Sequence, residues 1–230
     1  MISKKALITA LLPMKGHSER IHNKNLKLFC GNPLYHYIVN SLKKSKYISS
    51  IVIDTDSENI KADITKYFPE ITIINRSQKN IGDTVPMNEI IAYDISQINA
   101  DIFIQTHSTN PLLLSKTLDN AIHFFMNNIK KYDSVFSVSR IQSRLYNASG
   151  ESINHNPEIL LRTQDLSPVF EENSCFYIFT KDSFLNAGNK RTGLRPYMYQ
   201  LNKTESIDID EAEDFEIAET LFMQTRNSRT

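Results

Sequence analysis

ALITALLPMKGHSERIHNKN, residues 6–25, joins a short apolar run to a long polar loop. The first seven residues, 6–12, form a short, mostly apolar segment, which predicts a buried β-strand. The loop that follows is rich in cations, small residues and backbone N–H groups. In α/β sheets, ligands bind beyond the carboxyl ends of the strands. The stretch therefore predicts a strand followed directly by a ligand-binding loop.

The rest of the chain alternates short apolar runs with longer amphipathic segments. This order predicts a mostly parallel sheet with helices on both faces. Ser57 and Asp210 are expected to cap the helices that follow them. Further strands are predicted at 51–54, 71–74, 102–106, 134–138 and 175–179, and helices at 34–45, 57–67, 87–98, 114–129 and 211–225.

Residues 142–168 interrupt this alternation with turn-forming residues such as Asn147, Gly150 and Pro157. The segment is too irregular for a central strand and too long for a tight turn. We expect a projecting arm that carries a dimer contact. Because no internal repeat is present, residues 1–230 are expected to form a single domain.

Charge and composition exclude several classes of protein. The chain has 26 Lys and Arg residues against 26 Asp and Glu residues, so no global positive field would attract nucleic acid or an anionic membrane. No apolar run approaches the roughly 20 residues that span a bilayer, and we expect a cytoplasmic protein. Cys30 and Cys175 are far apart in sequence, which predicts neither a disulfide framework nor a zinc site.

The polar loop after the first strand is a candidate phosphate site. Lys15, Arg20 and Lys24 supply positive charge, and Gly16 and Ser18 allow backbone groups to approach an anion. The loop matches neither a Walker A motif nor a GxGxxG fingerprint. It therefore predicts either a triphosphate cradle or a solvated polar loop.

A second candidate is the acidic segment SIDIDEAEDF, residues 206–215. In an extended segment, alternation places Asp208 and Asp210 on the same face. Two carboxylates together with substrate phosphates suit Mg²⁺. The alternative is an acidic helix start that complements the helix dipole, which accounts well for Glu211, Glu213 and Asp214 but less well for Asp208.

With both segments in view, the chain resembles the acylneuraminate cytidylyltransferase family. The similarity runs from about residue 6 to residue 219, and its strongest marks are LPMKGHSERIHNKN, IDTDS, QTHSTNP and SIDIDEAEDF. The resemblance implies a Rossmann-like fold, CTP bound over the opening loop (residues 12–25) and Mg²⁺ held by Asp208 and Asp210. It also implies a homodimer in which the arm of one subunit reaches the partner's site.

The resemblance assigns the CTP site residue by residue. Lys15 stands where the family usually has an Arg, while Ser18, Lys24, Asn25 and Arg76 match directly. Glu19 replaces a usual Lys and His22 replaces a Pro. The residues expected to bind CTP are Lys15, Ser18, Arg20, Lys24, Asn25 and Arg76, and those expected to act in catalysis are Lys24, Asp208 and Asp210.

The acceptor side departs further from the family pattern. His107 falls where sialic-acid-activating members have a Gln, and Glu171 falls where they have an Arg. Because a carboxylate repels the carboxylate of an acid sugar, another cation is required, and Arg140, Arg144 or Arg162 are candidates. His107 is alternatively a histidine satisfied by backbone. The expected acceptor residues are His107, Asn110, Arg144, Glu171 and Asn173.

The implied reaction is attack by an acceptor oxygen on the α-phosphorus of CTP, with release of pyrophosphate. The implied partners are CTP and a small acidic acceptor, most simply a nonulosonic acid. A phosphonate, a phosphate ester or a 3-deoxy-octulosonate are alternative acceptors. A nucleotide-binding homologue without turnover is a further alternative, which the intact Asp208 and Asp210 pair disfavours.

Overall fold

The computed structural model of the chain describes residues 6–227 and contains one seven-stranded sheet and one short hairpin. The strand order in the large sheet is β5-β4-β1-β6-β8-β7-β9, and β2 pairs only with β3. The strands are β1 (Ile8–Leu11), β2 (Leu28–Phe29), β3 (Asn32–Pro33), β4 (Ser50–Thr55), β5 (Thr72–Asn75), β6 (Ile102–Thr106), β7 (Ser134–Ile141), β8 (Val169–Phe179) and β9 (Pro196–Gln200).

The large sheet is mostly parallel. Parallel pairing joins β1 to β4, β1 to β6, β4 to β5 and β7 to β9, whereas β8 runs antiparallel to both β6 and β7. The helices are α1 (Leu34–Lys43), α2 (Glu58–Tyr67), α3 (Met87–Gln97), α4 (Ser115–Asn128), α5 (Lys181–Asn186) and α6 (Ala212–Asn227).

Helices cover both faces of this sheet. In β1, Ile8 and Ala10 pack into one apolar cluster with α1, α2 and α4, while Leu11 packs into another with α3 and α5. β6 divides in the same way, with Ile104 on the first face and Phe103 on the second. This alternation follows from the two-residue period of a strand. The predicted Rossmann-like sheet with helices on both faces is therefore confirmed.

Some elements were not anticipated from the sequence. α5 has only six residues, which is too short to show helical periodicity, and β9 (PYMYQ) is a short aromatic strand at the sheet edge with alternating exposure. β8 begins at Val169, six residues before the predicted strand, because a register shift next to Phe136 lets its polar half continue pairing with β7.

Residues 142–168 connect the antiparallel strands β7 and β8, whose last paired residues are Ile141 and Val169. The segment therefore projects beyond the paired strands. Several large apolar side chains on it are exposed, and Leu160 is 85% exposed. The others are Tyr146, Ile153, Ile159 and Leu161.

Two simpler expectations concern membranes and thiols. Within residues 6–227, no helix combines the length and the apolar character needed to cross a bilayer. Cys175 is a free thiol buried in the core. The single-domain expectation for 1–230 includes residues 1–5 and 228–230, which lie outside the described residues.

Candidate active site

The opening loop lies against the carboxyl end of β4. Met14 forms a parallel bridge with Thr55, and its N–H donates to the Asp54 carbonyl oxygen at 2.8 Å. The N–H of Gly16 donates to Oδ1 of Asp56 at 2.7 Å. A Cβ atom at Gly16 would lie 2.8 Å from Cβ of Ser57, so a side chain there would displace the loop from the start of α2.

Lys24 and Asn25 connect this loop to two distant segments. Nζ of Lys24, whose side chain is 13% exposed, donates to the Ile209 carbonyl oxygen at 2.8 Å and to Oδ1 of Asp210 at 3.2 Å. Asn25 is buried, donates to the Lys15 carbonyl oxygen at 3.0 Å and accepts a hydrogen bond from Ser108 at 2.6 Å. The opening loop, the loop after β6 and the acidic segment therefore meet in one place.

Asp208 and Asp210 share one face of the acidic segment, as alternation predicts. Ile209 between them is fully buried, while both carboxylates are partly exposed. Burial, and then the charge of Asp210, raise the pKa of Asp208, although a hydrogen bond from Thr109 opposes them. Nδ2 of Asn110 lies 3.5 Å from Oδ1 of Asp208. A cation bound between the two carboxylates would relieve their repulsion.

These donors fit a Mg²⁺ ion that also contacts substrate phosphates. No cluster of three or more His, Cys, Asp or Glu side chains suited to a metal occurs among the described residues. Mg²⁺ does not require one, because it commonly binds one or two protein carboxylates together with phosphates and water. Asp208 and Asp210 supply the carboxylate oxygens that this mode of binding needs.

Asp210 does not cap α6, which corrects one expectation. The helix begins at Ala212, and the carboxylate of Asp214 accepts the N–H groups of Asp210 and Glu211 at 3.0 and 2.8 Å. The carboxylate of Asp210 instead contacts Lys24 and, at 2.9 Å, Arg20. Asp214 therefore performs the capping and Asp210 remains directed at the loop cations.

The other loop cations are also paired with acids. Lys15 lies 2.7 Å from Asp83, and this contact lowers the pKa of Asp83. Arg20 contacts Glu211 at 3.2 Å as well as Asp210, while Ser18 lies partly exposed in the same loop. A bound triphosphate would compete with these acids for the loop cations. Direct contact of Lys15, Ser18 and Arg20 with CTP remains a prediction.

Arg76 lies in a buried network beneath the loop. Its side chain is 5% exposed, and Nε donates to Oδ1 of Asp54 at 2.5 Å. Asp94 is also buried there, and burial together with the Asp54 charge raises the pKa of Asp94 to about 9. Asp94 was not anticipated from the sequence. The structure gives Arg76 a protein partner, and its contact with phosphate remains a prediction.

His107 and Asn110 follow β6 and carry unsatisfied polar atoms. Nε2 of His107 and Oδ1 of Asn110 are buried and have no hydrogen-bond partner among the described residues. Burial, with a smaller contribution from Arg191, lowers the pKa of His107 to about 4, so the ring is neutral at pH 7. Backbone groups therefore do not satisfy Nε2 of His107, and unpaired buried atoms of this kind favour a ligand.

The remaining predicted acceptor residues lie on β8 and the arm. Asn173 is buried and donates to Ser139 at 3.1 Å, which gives it an internal partner. Arg144 donates to the Leu161 carbonyl oxygen within the arm. Glu171 is exposed on the extended strand, and its neighbour Glu172 accepts the Tyr177 hydroxyl. Contact of these residues with an acceptor remains a prediction.

Sequence reasoning missed a polar cluster beside His107. Arg191 donates from Nη1 to Oε1 of Gln105 at 2.6 Å, and its guanidinium lies 3.8 Å from the centroid of the Tyr177 ring. The sequence offered one sign of this cluster, the polar residue Gln105 near the end of β6, which the structure shows to be buried. Arg191 itself lies in the loop between α5 and β9, outside any motif.

Comparisons with known proteins found one matching family model and several relatives. The family model described as "Cytidylyltransferase" matches residues 9–227. N-acylneuraminate cytidylyltransferase A of Danio rerio is 29% identical over 226 residues, which cover 92% of this chain and 50% of that protein. The chain thus spans half the length of this relative.

A second relative matches over nearly its whole length. Pseudaminic acid cytidylyltransferase of Campylobacter jejuni subsp. jejuni serotype O:2 is 24% identical over 234 residues, covering 95% of this chain and 97% of that protein. Among solved structures, CMP:2-keto-3-deoxy-manno-octonic acid synthetase complexed with CTP superposes with a TM-score of 0.71 at 12% identity, covering 96% of this chain and 100% of the other.

Proposed function

The chain belongs to the cytidylyltransferase family, and from this premise we propose that it transfers the cytidylyl group of CTP to a small acidic sugar with release of pyrophosphate. Nonulosonic acids are the acceptor class that this proposal favours, because the names of the curated relatives refer to N-acylneuraminate and pseudaminic acid. The acceptor oxygen attacks the α-phosphorus and the bond to the β-phosphate oxygen breaks.

The observation that carries the proposal is the convergence of Lys24 with Asp208 and Asp210. Lys24 reaches the acidic segment directly through Asp210 and the Ile209 carbonyl oxygen. Cations and carboxylates from distant parts of the chain therefore meet in one place. Phosphoryl transfer depends mainly on positioning and charge neutralisation, and this arrangement supplies both.

Each group has a distinct task in this proposal. Lys15, Arg20 and Lys24 neutralise the triphosphate, Ser18 and the loop N–H groups bind phosphate oxygens, and Asn25 keeps the loop in place from its buried position. Asp208 and Asp210 would hold Mg²⁺, which would supply charge neutralisation for the phosphate oxygens. The neutral His107 and Asn110 present unpaired polar atoms toward the acceptor.

We further propose that the protein works as a homodimer through its arm. The support is the exposed apolar surface of residues 142–168, because large apolar side chains clustered on one projecting segment favour burial against a partner. A cytoplasmic location remains an expectation of the same proposal.

Pyrophosphate release from each nucleoside triphosphate, with and without an acceptor, tests the proposal. N-acetylneuraminic acid, pseudaminic acid and 3-deoxy-manno-octulosonic acid are the acceptors to compare, with Mg²⁺ present throughout. We expect release from CTP only when an acid sugar is added. Equal or faster release from ATP, GTP or UTP would contradict the cytidylyl assignment.

A further inference from the structure

Arg191 carries a charge that no described carboxylate neutralises at close range. None of the ion pairs found among the described residues includes Arg191, although it is only partly exposed. The nearby carboxylate of Glu172 accepts the Tyr177 hydroxyl instead. The charge of Glu172 favours the protonated form of Arg191 from a distance. A partly buried cation without a direct ion-pair partner is costly, and such groups are normally paired.

The guanidinium of Arg191 is held in a fixed position by two fully buried side chains. Oε1 of Gln105 accepts a hydrogen bond from Nη1 at 2.6 Å, and the guanidinium carbon lies over the Tyr177 ring, 3.8 Å from its centroid. Gln105 and Tyr177 are direct neighbours across β6 and β8. One of five N–H donors is used by Gln105, so other donors remain for a ligand. The fork geometry of these donors suits a carboxylate.

Arg191 lies close enough to His107 to affect its pKa, and it is anchored apart from the opening-loop cations. Gln105 is the register partner of Leu11, directly before the opening loop. Both Arg191 and Lys24 lower the pKa of His107, and Asp210 raises it, so His107 lies within electrostatic range of all three. Arg191 is anchored to β6 and β8, whereas Lys24 belongs to the group that contacts Asp210. A ligand bound beside His107 would be within the electrostatic range of both cations.

We propose that Arg191 binds the carboxylate of the acidic acceptor and selects for acceptors that carry one. This inference rests on the proposed function, because it names the residue that recognises the acceptor of that reaction. From the sequence, an arm arginine such as Arg144 was the candidate for binding this carboxylate. The guanidinium of Arg144 donates to a backbone carbonyl of its own arm, and the proposal assigns the role to Arg191 instead.

The test is equilibrium binding to the full-length wild type and to Arg191→Gln, Arg191→Lys and Arg195→Gln. Arg195 is the matched control, because it lies on the same loop and its guanidinium donates to the Lys130 carbonyl oxygen. Calorimetry would measure the affinity for each acid sugar of the panel and for the methyl ester of the acid that binds best. Every titration is run with and without α,β-methylene CTP and Mg²⁺, and melting temperatures verify folding.

We expect Arg191→Gln to weaken binding of the acid by at least roughly 30-fold and binding of the ester by less than about threefold. Arg191→Lys should retain part of the preference for the acid, and Arg195→Gln all of it. Wild-type protein that binds acid and ester equally, or binds no acid, would overturn the proposal. Weakened binding of the CTP analogue in Arg191→Gln, with the acid unaffected, would assign the guanidinium to phosphate and would also overturn it.

These measurements distinguish an error in the proposed function from an error in the inference about Arg191. If wild-type protein does not bind the CTP analogue, the proposed function is wrong, while the titrations of acid against ester without nucleotide still decide the role of Arg191. If the analogue binds equally to all variants and the preference for the acid is unchanged in Arg191→Gln, only the inference about Arg191 is wrong.

Discussion

Nζ of Lys24 lies 3.2 Å from Oδ1 of Asp210, and this contact joins residues 186 positions apart in the chain. It fixes the distance between the opening loop and the acidic segment. A triphosphate bound over the loop would therefore lie next to the two carboxylates that we assign to Mg²⁺.

Asn replacements at Asp208 and Asp210 test the metal assignment. Each change removes a negative charge with little change of shape, and metal-assisted charge neutralisation is worth several kcal/mol, so kcat should fall about a hundredfold or more. Glu213→Gln is the matched control, because Glu213 is an exposed carboxylate in the first turn of α6, close in sequence to the pair. Steady-state pyrophosphate release at saturating Mg²⁺ is the measurement, and near-normal rates in either variant would limit the pair to a structural role.

Lys24→Met tests the cation at this junction. The side chain keeps its length but loses the charge-assisted contacts to Ile209 and Asp210, so kcat/KM for CTP should fall by roughly 30-fold or more. Lys181→Met, on an exposed position of α5, should leave kcat/KM unchanged. The account would be contradicted if Lys24→Met bound and turned over CTP like the wild type while melting at the same temperature.

The raised pKa of Asp94 predicts how the free energy of unfolding depends on pH. Its folded pKa of about 9 lies above the unfolded value near 3.8, so the folded state binds the proton more tightly. The free energy of unfolding should therefore decrease as pH rises between those values, with a limiting slope of about 1.4 kcal/mol per pH unit. Urea denaturation at pH 6 and pH 9 measures this. Asp94→Asn, which cannot ionise, should show a smaller decrease than the wild type, whereas an equal decrease in both would rule out Asp94 as its source.

Sedimentation tests whether the arm, residues 142–168, carries a dimer contact. At micromolar concentration the wild type should sediment with a mass near twice 26.5 kDa. Leu160→Lys adds a charge to the most exposed apolar side chain of the arm and should shift the equilibrium toward the monomer. Leu185→Lys, at a half-exposed position on α5, is the control. A monomeric wild type would remove the support for dimerisation.

The strands and most helices could be predicted because apolar periodicity and loop chemistry are local properties. The opening loop and the Asp208 and Asp210 pair were found in the same way, since neighbouring residues carry the pattern. Contacts between residues that are far apart in the chain leave no such local pattern in the sequence. Arg191 lies in a loop outside any motif, and only the pairing of β6 with β8 brings Gln105 and Tyr177 to it.

Two further findings have the same origin. Contact of Arg76 with the triphosphate remains a prediction, whereas its partner Asp54 was not anticipated, because it is 22 positions away and no spacing rule pairs them. Asp210 was expected to cap α6 because it precedes an acidic helix start. The contact from Lys24 occupies its carboxylate and Asp214 caps instead, which only the tertiary structure reveals.

The most direct test of cytidylyl transfer follows the α-phosphate itself. CTP labelled with ³²P at the α-position is incubated with Mg²⁺, the purified protein and each acid sugar. The products are then separated, and their masses are measured by mass spectrometry. The account predicts that the label appears in a CMP-sugar, with one pyrophosphate released for each sugar consumed. Label found only in CTP, or in free CMP formed without any sugar adduct, would contradict it.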